Sequence, residues 1–224
     1  MIFPPDFWET LWLTVRLALV STVLLVIVGA PIAHWLARGK GRIPLIAETL
    51  LTLPLVLPPT VIGFYLLVIF APHTWLGALW TRVMGQPLAF SFAGLVAGSV
   101  IYSLPFAVRP FRAGLAAVSG ELLDVARVSG ASALETFWRV TVPLAWSGIA
   151  AGVILSFAHT LGEFGLVLML GGGIPGRTKM ASIALYDESQ KMIYGAAHAY
   201  AAVLLAVSFI LILAVTLLRR RVAE

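Results

Sequence analysis

Five long apolar runs constrain this chain more than any other feature of its sequence. Each run holds about 20 mostly apolar residues, the length that a helix needs to cross a lipid bilayer. The runs cover residues 17–35, 43–70, 88–108, 144–170 and 193–218. Only 11% of the residues are charged, whereas soluble domains contain about 25%. The sequence therefore predicts an all-α, polytopic membrane protein whose 224 residues form a single transmembrane domain.

The number of spans is expected to be five, with a sixth left open. Residues 8–17 and 71–87 are both amphipathic, which leaves the count open between five and six spans. The N-terminus carries Asp6 and Glu9 and no basic residue before Arg16. A secretory leader begins with positive charge, so the first apolar run is expected to stay as a membrane helix.

Basic residues predict the orientation of the chain in its membrane. With the N-terminus outside, the cytoplasmic segments contain ten basic residues and the outer segments contain four. The cytoplasmic ones are Arg38, Lys40, Arg42, Arg109, Arg112, Arg127, Arg139, Arg219, Arg220 and Arg221, and the outer ones are Arg82, Arg177, Lys179 and Lys191. Lysine and arginine favour cytoplasmic loops, so we expect an outer N-terminus and a cytoplasmic C-terminus. This clustering at the ends of apolar runs argues against nucleic acid as the reason for the net charge of +5.

The segment 109–143, called the coupling segment below, is longer than a simple connector and has helix signals of its own. Ser119 can cap a short helix whose early turns contain Glu121 and Asp124, where carboxylates favour the positive end of the helix dipole. Gly130 suits the left-handed residue that ends such a helix. The segment is therefore expected to begin with a short helix ending near residue 130.

A second short helix is predicted directly after Gly130. Ser132 and Glu135 form the S-x-x-E pattern of a capping box. The small residues Ala126 and Ala131 near the bend would let a partner backbone approach closely. The loop alone leaves two interpretations open. One is that the segment docks onto a partner, and the other is that it forms an amphipathic hairpin on the lipid headgroups.

A motif in the coupling segment resembles that of ABC importer permeases. The family motif is E-A-A-x3-G-x9-I-x-L-P, and this chain has D-V-A at 124–126, then Gly130, then V-x-V-P at 140–143. The resemblance implies docking into a groove of a cytoplasmic ATPase subunit. It gives that role to Glu121, Asp124, Ala126, Gly130, Ala131, Glu135 and Pro143. Because Asp124 replaces the glutamate of the motif, its ion-pair partner is left open.

Two further stretches resemble the molybdate, tungstate and sulfate branch of these permeases. They are L-P-L-V-L-P-P-T-V-I-G at 53–63, and L-G-E-F-G at 161–165 followed by I-P-G-R-T at 174–178. The resemblance implies an oxyanion substrate, with molybdate or tungstate preferred and sulfate or another small solute as the alternative.

Prolines inside the second apolar run mark a candidate pathway. Pro54, Pro58 and Pro59 each remove a backbone donor, and such breaks occur in membranes where a helix lines a cavity. We group them with Thr60 and Glu163 as pathway or gate candidates. The alternative interpretation of the prolines is a packing kink between spans.

Glu163 is an ionisable residue inside the fourth apolar run, four residues after His159. A free carboxylate repels an anion, so Glu163 is an unsuitable ligand for one. We expect it to pair with His159 or with a group on another span, and to fix the helix position rather than to form the gate.

The sequence argues against nucleotide binding and against metal binding. The pattern from Gly171 to Thr178 imitates a P-loop but follows a membrane span, so nucleotide binding is rejected. His73 and His198 lack metal-ligand spacing, and there is no cysteine. We expect no enzyme activity, no metal and no cofactor in this chain.

The resemblance also implies a location in the bacterial cytoplasmic (inner) membrane and a set of partners. They are a second copy of the chain, two ATP-binding cassette subunits that bind ATP and Mg, and an extracytoplasmic oxyanion-binding protein. Transport would proceed by alternating access at a homodimer interface. A stand-alone channel or secondary carrier is the alternative from another class.

Overall fold

The computed structural model describes residues 3–223, except for the side chains at positions 219 and 221–223. Arg219 and Arg221 of the predicted cytoplasmic cluster therefore lie outside the described side chains. Within this part of the chain the structure is helical and has no strand. The helices are α1 (Phe7–Arg38), α2 (Arg42–Thr52), α3 (Pro59–Ile69), α4 (Trp75–Met84), α5 (Phe92–Ala116), α6 (Gly120–Val128), α7 (Ala133–Thr136), α8 (Val142–Leu144), α9 (Trp146–Leu161), α10 (Gly165–Gly171), α11 (Ala181–Gln190) and α12 (Tyr194–Ala223).

Three helices, α1, α5 and α12, are long and apolar enough to cross a membrane among the described residues. Two bent helix pairs raise this number to as many as five. The first pair joins α2 and a 3-10 turn to α3 at 107°, and the second joins the segment Ala133–Leu144 to α9 at 71°. Neither region considered for a sixth span forms one, because residues 8–17 belong to α1 and the ten-residue α4 extends only about 15 Å.

Two predicted boundaries are wrong. The run 144–170 is not one helix, because α9 ends at Leu161 and α10 begins at Gly165. The break lets Gly165 lie against the start of α3, where an added Cβ would be 3.0 Å from Pro59. The third run continues as α5 to Ala116, so Arg109, at the start of the coupling segment, is helical.

Helix α5 lies at the centre of the fold and packs against α1 on one side and α9 on the other. Leu25 of α1 and Phe111 of α5 are buried in the same apolar cluster. Pro110 does not end α5, since membrane helices accommodate proline where neighbouring helices surround it. The backbones of α5 and α9 meet at two glycines, and a Cβ added at Gly148 would be 2.6 Å from the Cα of Gly114.

The outer elements leave apolar surface uncovered. Helix α10 packs against α3, and α11 packs against α12. Helix α12 buries little of its side-chain surface, and Leu205 and Phe209 are 74% and 67% exposed. Such a face fits lipid or another membrane helix.

Candidate functional site

The first helix of the coupling segment begins and ends as its sequence predicts. The Ser119 hydroxyl accepts a 3.3 Å hydrogen bond from the N–H of Leu122, which caps α6. Glu121 lies in the first turn, where its charge favours the helix dipole. After α6, Gly130 has a φ of +87°, in the left-handed region that favours glycine.

Hydrogen bonds close the bend between α6 and α7. The N–H of Ala131 donates to the carbonyl of Ala126 at 3.1 Å, and the N–H of Gly130 donates to the carbonyl of Arg127 at 3.0 Å. Asp124 forms a 3.0 Å ion pair with Arg127 one turn later. Both side chains are exposed, so this pair leaves the Asp124 carboxylate accessible to a partner.

Helix α7 begins with the predicted capping box. The N–H of Glu135 donates to the Ser132 hydroxyl at 3.3 Å, and the N–H of Ser132 donates to Oε2 of Glu135 at 3.0 Å. The Ser132 hydroxyl donates to the same carboxylate oxygen at 2.9 Å. The backbone and hydroxyl bonds from Ser132, together with the nearby charge of Arg139, lower the pKa of the Glu135 carboxyl below its ordinary value.

The coupling segment presents apolar side chains to its surroundings. We call this patch the coupling surface, and it is formed by Leu122, Val125, Val128, Leu134 and Trp138. Val128 is 90% exposed and Trp138 is 60% exposed. Pro143, in α8, is also exposed. A patch of this kind on two capped helices is typical of a protein-docking surface.

The proline-rich break in the second apolar run has a defined geometry. Pro54 lies in the 3-10 turn Leu53–Leu55, Pro58 precedes α3, and Pro59 is the first residue of α3. The first position of a helix tolerates proline because its N–H has no partner within the helix. The chain turns by 107° at this break.

A cavity of about 560 Å³ brings together three of the five pathway candidates. It is lined by Pro59, Thr60 and Glu163, and also by Tyr102 and His159. Pro54 and Pro58 do not line it. The cavity lies where the break before α3 meets the break between α9 and α10, because Gly165 also lines it.

Glu163 bonds to another span and not to His159. Its Oε2 accepts a 2.8 Å hydrogen bond from the Ser99 hydroxyl of α5, and its main-chain carbonyl accepts one from Ser182 at 2.6 Å. His159 instead contacts Ser103 through Nδ1 at 2.9 Å and stacks on Phe106 at 3.8 Å. Of the two pairings expected for Glu163, the structure has the one with another span.

Two residues of this site were not identified from the sequence. Ser99 and Ser103 are four residues apart on α5 and are both fully buried. Their spacing places them on one helical face, and that spacing is the signal that could have found them.

The P-loop-like pattern forms a closed turn. The N–H groups of Arg177, Thr178 and Lys179 all donate to the carbonyl of Ile174, at 3.1, 2.9 and 3.0 Å. The Thr178 hydroxyl donates to the carbonyl of Gly171 at 2.6 Å. Because these amides are already bonded, they cannot cradle a phosphate. The described residues also hold no cluster of His, Asp and Glu suited to a metal ion.

Comparisons with known proteins agree with this architecture. The family described as "Binding-protein-dependent transport system inner membrane component" matches residues 15–224. The molybdenum transport system permease protein ModB of Azotobacter vinelandii is 46% identical over 209 residues, covering 93% of this chain and 92% of that protein. ModB of Mycobacterium bovis is 37% identical over 186 residues, covering 83% and 70%.

A solved structure has the same fold. A bacterial alginate ABC transporter, in complex with its alginate-bound periplasmic protein, matches with a TM-score of 0.75 at 16% identity. The match covers 99% of this chain and 81% of that one. The family match over residues 15–224 and the 46% identity to ModB of Azotobacter vinelandii show that the chain belongs to the inner membrane components of binding-protein-dependent transport systems, the permeases of ABC importers.

Proposed function

We propose that this chain is the permease subunit of an ATP-driven importer for molybdate or tungstate. The observation that carries the proposal is the coupling surface, which two capped helices present at the motif spacing of ABC importer permeases. The substrate rests on the relatives, whose names describe molybdenum transport. Together, the coupling surface and the relatives support the assignment of this chain as a transport subunit whose energy comes from a separate protein.

The transporter contains two copies of this chain and two ATP-binding cassette subunits. The uncovered apolar faces of α3 and α12 offer area for a second copy, with Phe64 and Tyr65 of α3 49% and 62% exposed. Closed two-fold assemblies are the commonest arrangement of soluble oligomers, and the same geometry encloses a pathway between two copies. The N-terminus lies outside and the C-terminus is cytoplasmic, in accordance with the distribution of basic residues.

Alternating access follows from this arrangement. ATP closes the two ATPase subunits, which draws the two coupling surfaces together and opens the pathway to the outside. A binding protein then delivers its cargo on the outer face. Hydrolysis reverses the change, since each nucleotide state stabilises one of the two conformations.

The cavity at the helix breaks is the part of each copy that we propose to line the pathway between the two copies. Thr60 supplies a hydroxyl and a main-chain amide at the start of α3, where helix geometry favours negative charge. No lysine or arginine lines this cavity among the described residues. The anion site is therefore weak and transient, and high affinity belongs to the binding protein.

The test is uptake of labelled molybdate into proteoliposomes containing this chain, its ATPase and its binding protein. We expect ATP-dependent uptake, and a several-fold loss with Thr60→Ala. Uptake of sulfate but not of molybdate would change the substrate and keep the permease assignment. Anion flux through the chain without any ATPase would overturn the proposal in favour of a channel or carrier.

A further inference from the structure

A second cavity lies between the end of α1 and the coupling segment. It has a volume of about 400 Å³ and is separate from the cavity at the helix breaks. Its polar lining consists of His34, Arg38, Arg127, Thr136 and Thr141. The π-helical turn Phe137–Thr141 forms part of its wall, and such turns are frequent at functional sites.

Two buried polar atoms of this lining have no hydrogen-bond partner among the described residues. They are Oγ1 of Thr136, a residue only 5% exposed, and Nδ1 of His34. Buried polar groups are nearly always paired, so each unpaired group calls for an explanation. The Thr136 hydroxyl can donate a hydrogen bond, and Nδ1 of His34 can donate in the tautomer that carries its proton there. Rotation of these side chains would turn both donors to a ligand in the cavity that they line.

The charge at this cavity selects the kind of ligand. Arg38 forms no ion pair within the described part of the chain, and Arg127 pairs only with Asp124 through a single nitrogen. Each guanidinium has five donors, so both retain free N–H groups. Two cationic side chains and two neutral donors fit an anion with several acceptor oxygens better than they fit a water molecule.

We infer that this cavity binds the tetrahedral oxyanion of a phosphate-like group. His34 and Arg38, four residues apart on one face of α1, would hold the anion from one side. Arg127 and Thr136 would hold it from the coupling segment. A bound anion thus links α1 to the segment that carries the coupling surface. The group belongs either to a free oxyanion or to a phospholipid headgroup.

The test is calorimetric titration of the purified full chain at low salt with molybdate, sulfate or inorganic phosphate. Arg38→Gln removes a charged donor, and Thr136→Val removes the hydroxyl while keeping the side-chain shape. Each substitution weakens binding by about tenfold or more, the effect of losing a hydrogen bond to a charged group. The matched control is Lys40→Gln, which removes an exposed charge two residues from Arg38 outside the cavity.

Native mass spectrometry with phosphatidylglycerol and with diacylglycerol, which lacks phosphate, distinguishes the two sources. The site is supported, with a lipid headgroup as its ligand, if the chain retains phosphatidylglycerol but not diacylglycerol and if Arg38→Gln and Thr136→Val abolish that retention. Binding of a soluble oxyanion with the same dependence supports it with a free anion. The inference is overturned if neither ligand depends on Arg38 and Thr136, or if Lys40→Gln weakens binding as much as Arg38→Gln does.

Discussion

The hydroxyl of Ser99 donates a 2.8 Å hydrogen bond to the carboxyl of Glu163, which joins the central helix α5 to the break between α9 and α10. Ser99 is fully buried and Glu163 is 5% exposed. The main-chain carbonyl of Glu163 accepts a further bond from Ser182 of α11. One residue therefore holds three elements in place at the cavity between the helix breaks.

Removing either partner of this bond destabilises the domain. Ser99→Ala leaves a buried carboxyl oxygen unpaired, and Glu163→Leu leaves a buried hydroxyl unpaired, each at a cost of about 1–3 kcal/mol. The double variant loses less than the sum of the two single losses, because both partners are gone together. The measurement is the thermal unfolding midpoint of the detergent-solubilised chain. Strictly additive losses would show that this bond does not couple the two elements.

Glycine at position 148 is required by the close approach of α5 and α9. In Gly148→Ala the new methyl group would be 2.6 Å from the Cα of Gly114 and from the carbonyl oxygen of Pro110. The helices must move apart, which costs about 1–3 kcal/mol. Thermal unfolding of the two alanine variants Gly148→Ala and Gly195→Ala measures this cost, since an alanine at Gly195 meets nothing within 4 Å. Equal midpoints for both variants would contradict the packing described.

The capping box of α7 makes the coupling segment sensitive to acid. The pKa of Glu135 is lowered in the folded state from its ordinary value of 4.5. A lowered carboxyl pKa means that its stabilisation is fully present above that ordinary value and is lost as the pH falls through the lower, folded-state pKa. Hydrogen exchange of a peptide covering residues 130–140, corrected for intrinsic rates, should show protection of α7 that decreases as the pH falls below the ordinary value of 4.5.

Glu135→Ala is the control for this pH effect. It removes the carboxylate that accepts both bonds from Ser132. Protection in this variant should be low at neutral pH and should no longer change through the acid range. An unchanged acid response in Glu135→Ala would assign the effect to another group.

Much of the fold could be predicted because membrane helices and helix caps depend on local sequence. The apolar runs located the long helices α1, α5 and α12. The capping signals at Ser119 and Ser132 located the two short helices of the coupling segment. The left-handed conformation of Gly130 followed from its position after α6. Each of these features depends on residues within a few positions of one another.

The remaining features depend on contacts between distant elements. The break at Gly162 to Phe164 divides a continuous apolar run, and hydropathy carries no signal for it. The choice of Ser99 as the partner of Glu163 depends on the register of α5 against α9. The polar lining shared by α1 and the coupling segment is likewise visible only when the helices are packed together.

ATP hydrolysis by the assembled transporter tests the central claim most directly. The measurement is the ratio of hydrolysis with molybdate-loaded binding protein to hydrolysis without it, for the wild-type chain, Gly130→Asn and Gly130→Trp.

Asparagine tolerates the left-handed conformation, and nothing in this chain lies within 4 Å of a Cβ at Gly130. Tryptophan adds bulk on the open side of Gly130, where it acts against a partner, and it also strains the positive φ. Gly130→Asn is the control for the loss of glycine at this φ. We predict stimulation with the wild-type chain and with Gly130→Asn, and its loss with Gly130→Trp. Full stimulation with Gly130→Trp would contradict docking of the coupling segment onto an ATPase subunit.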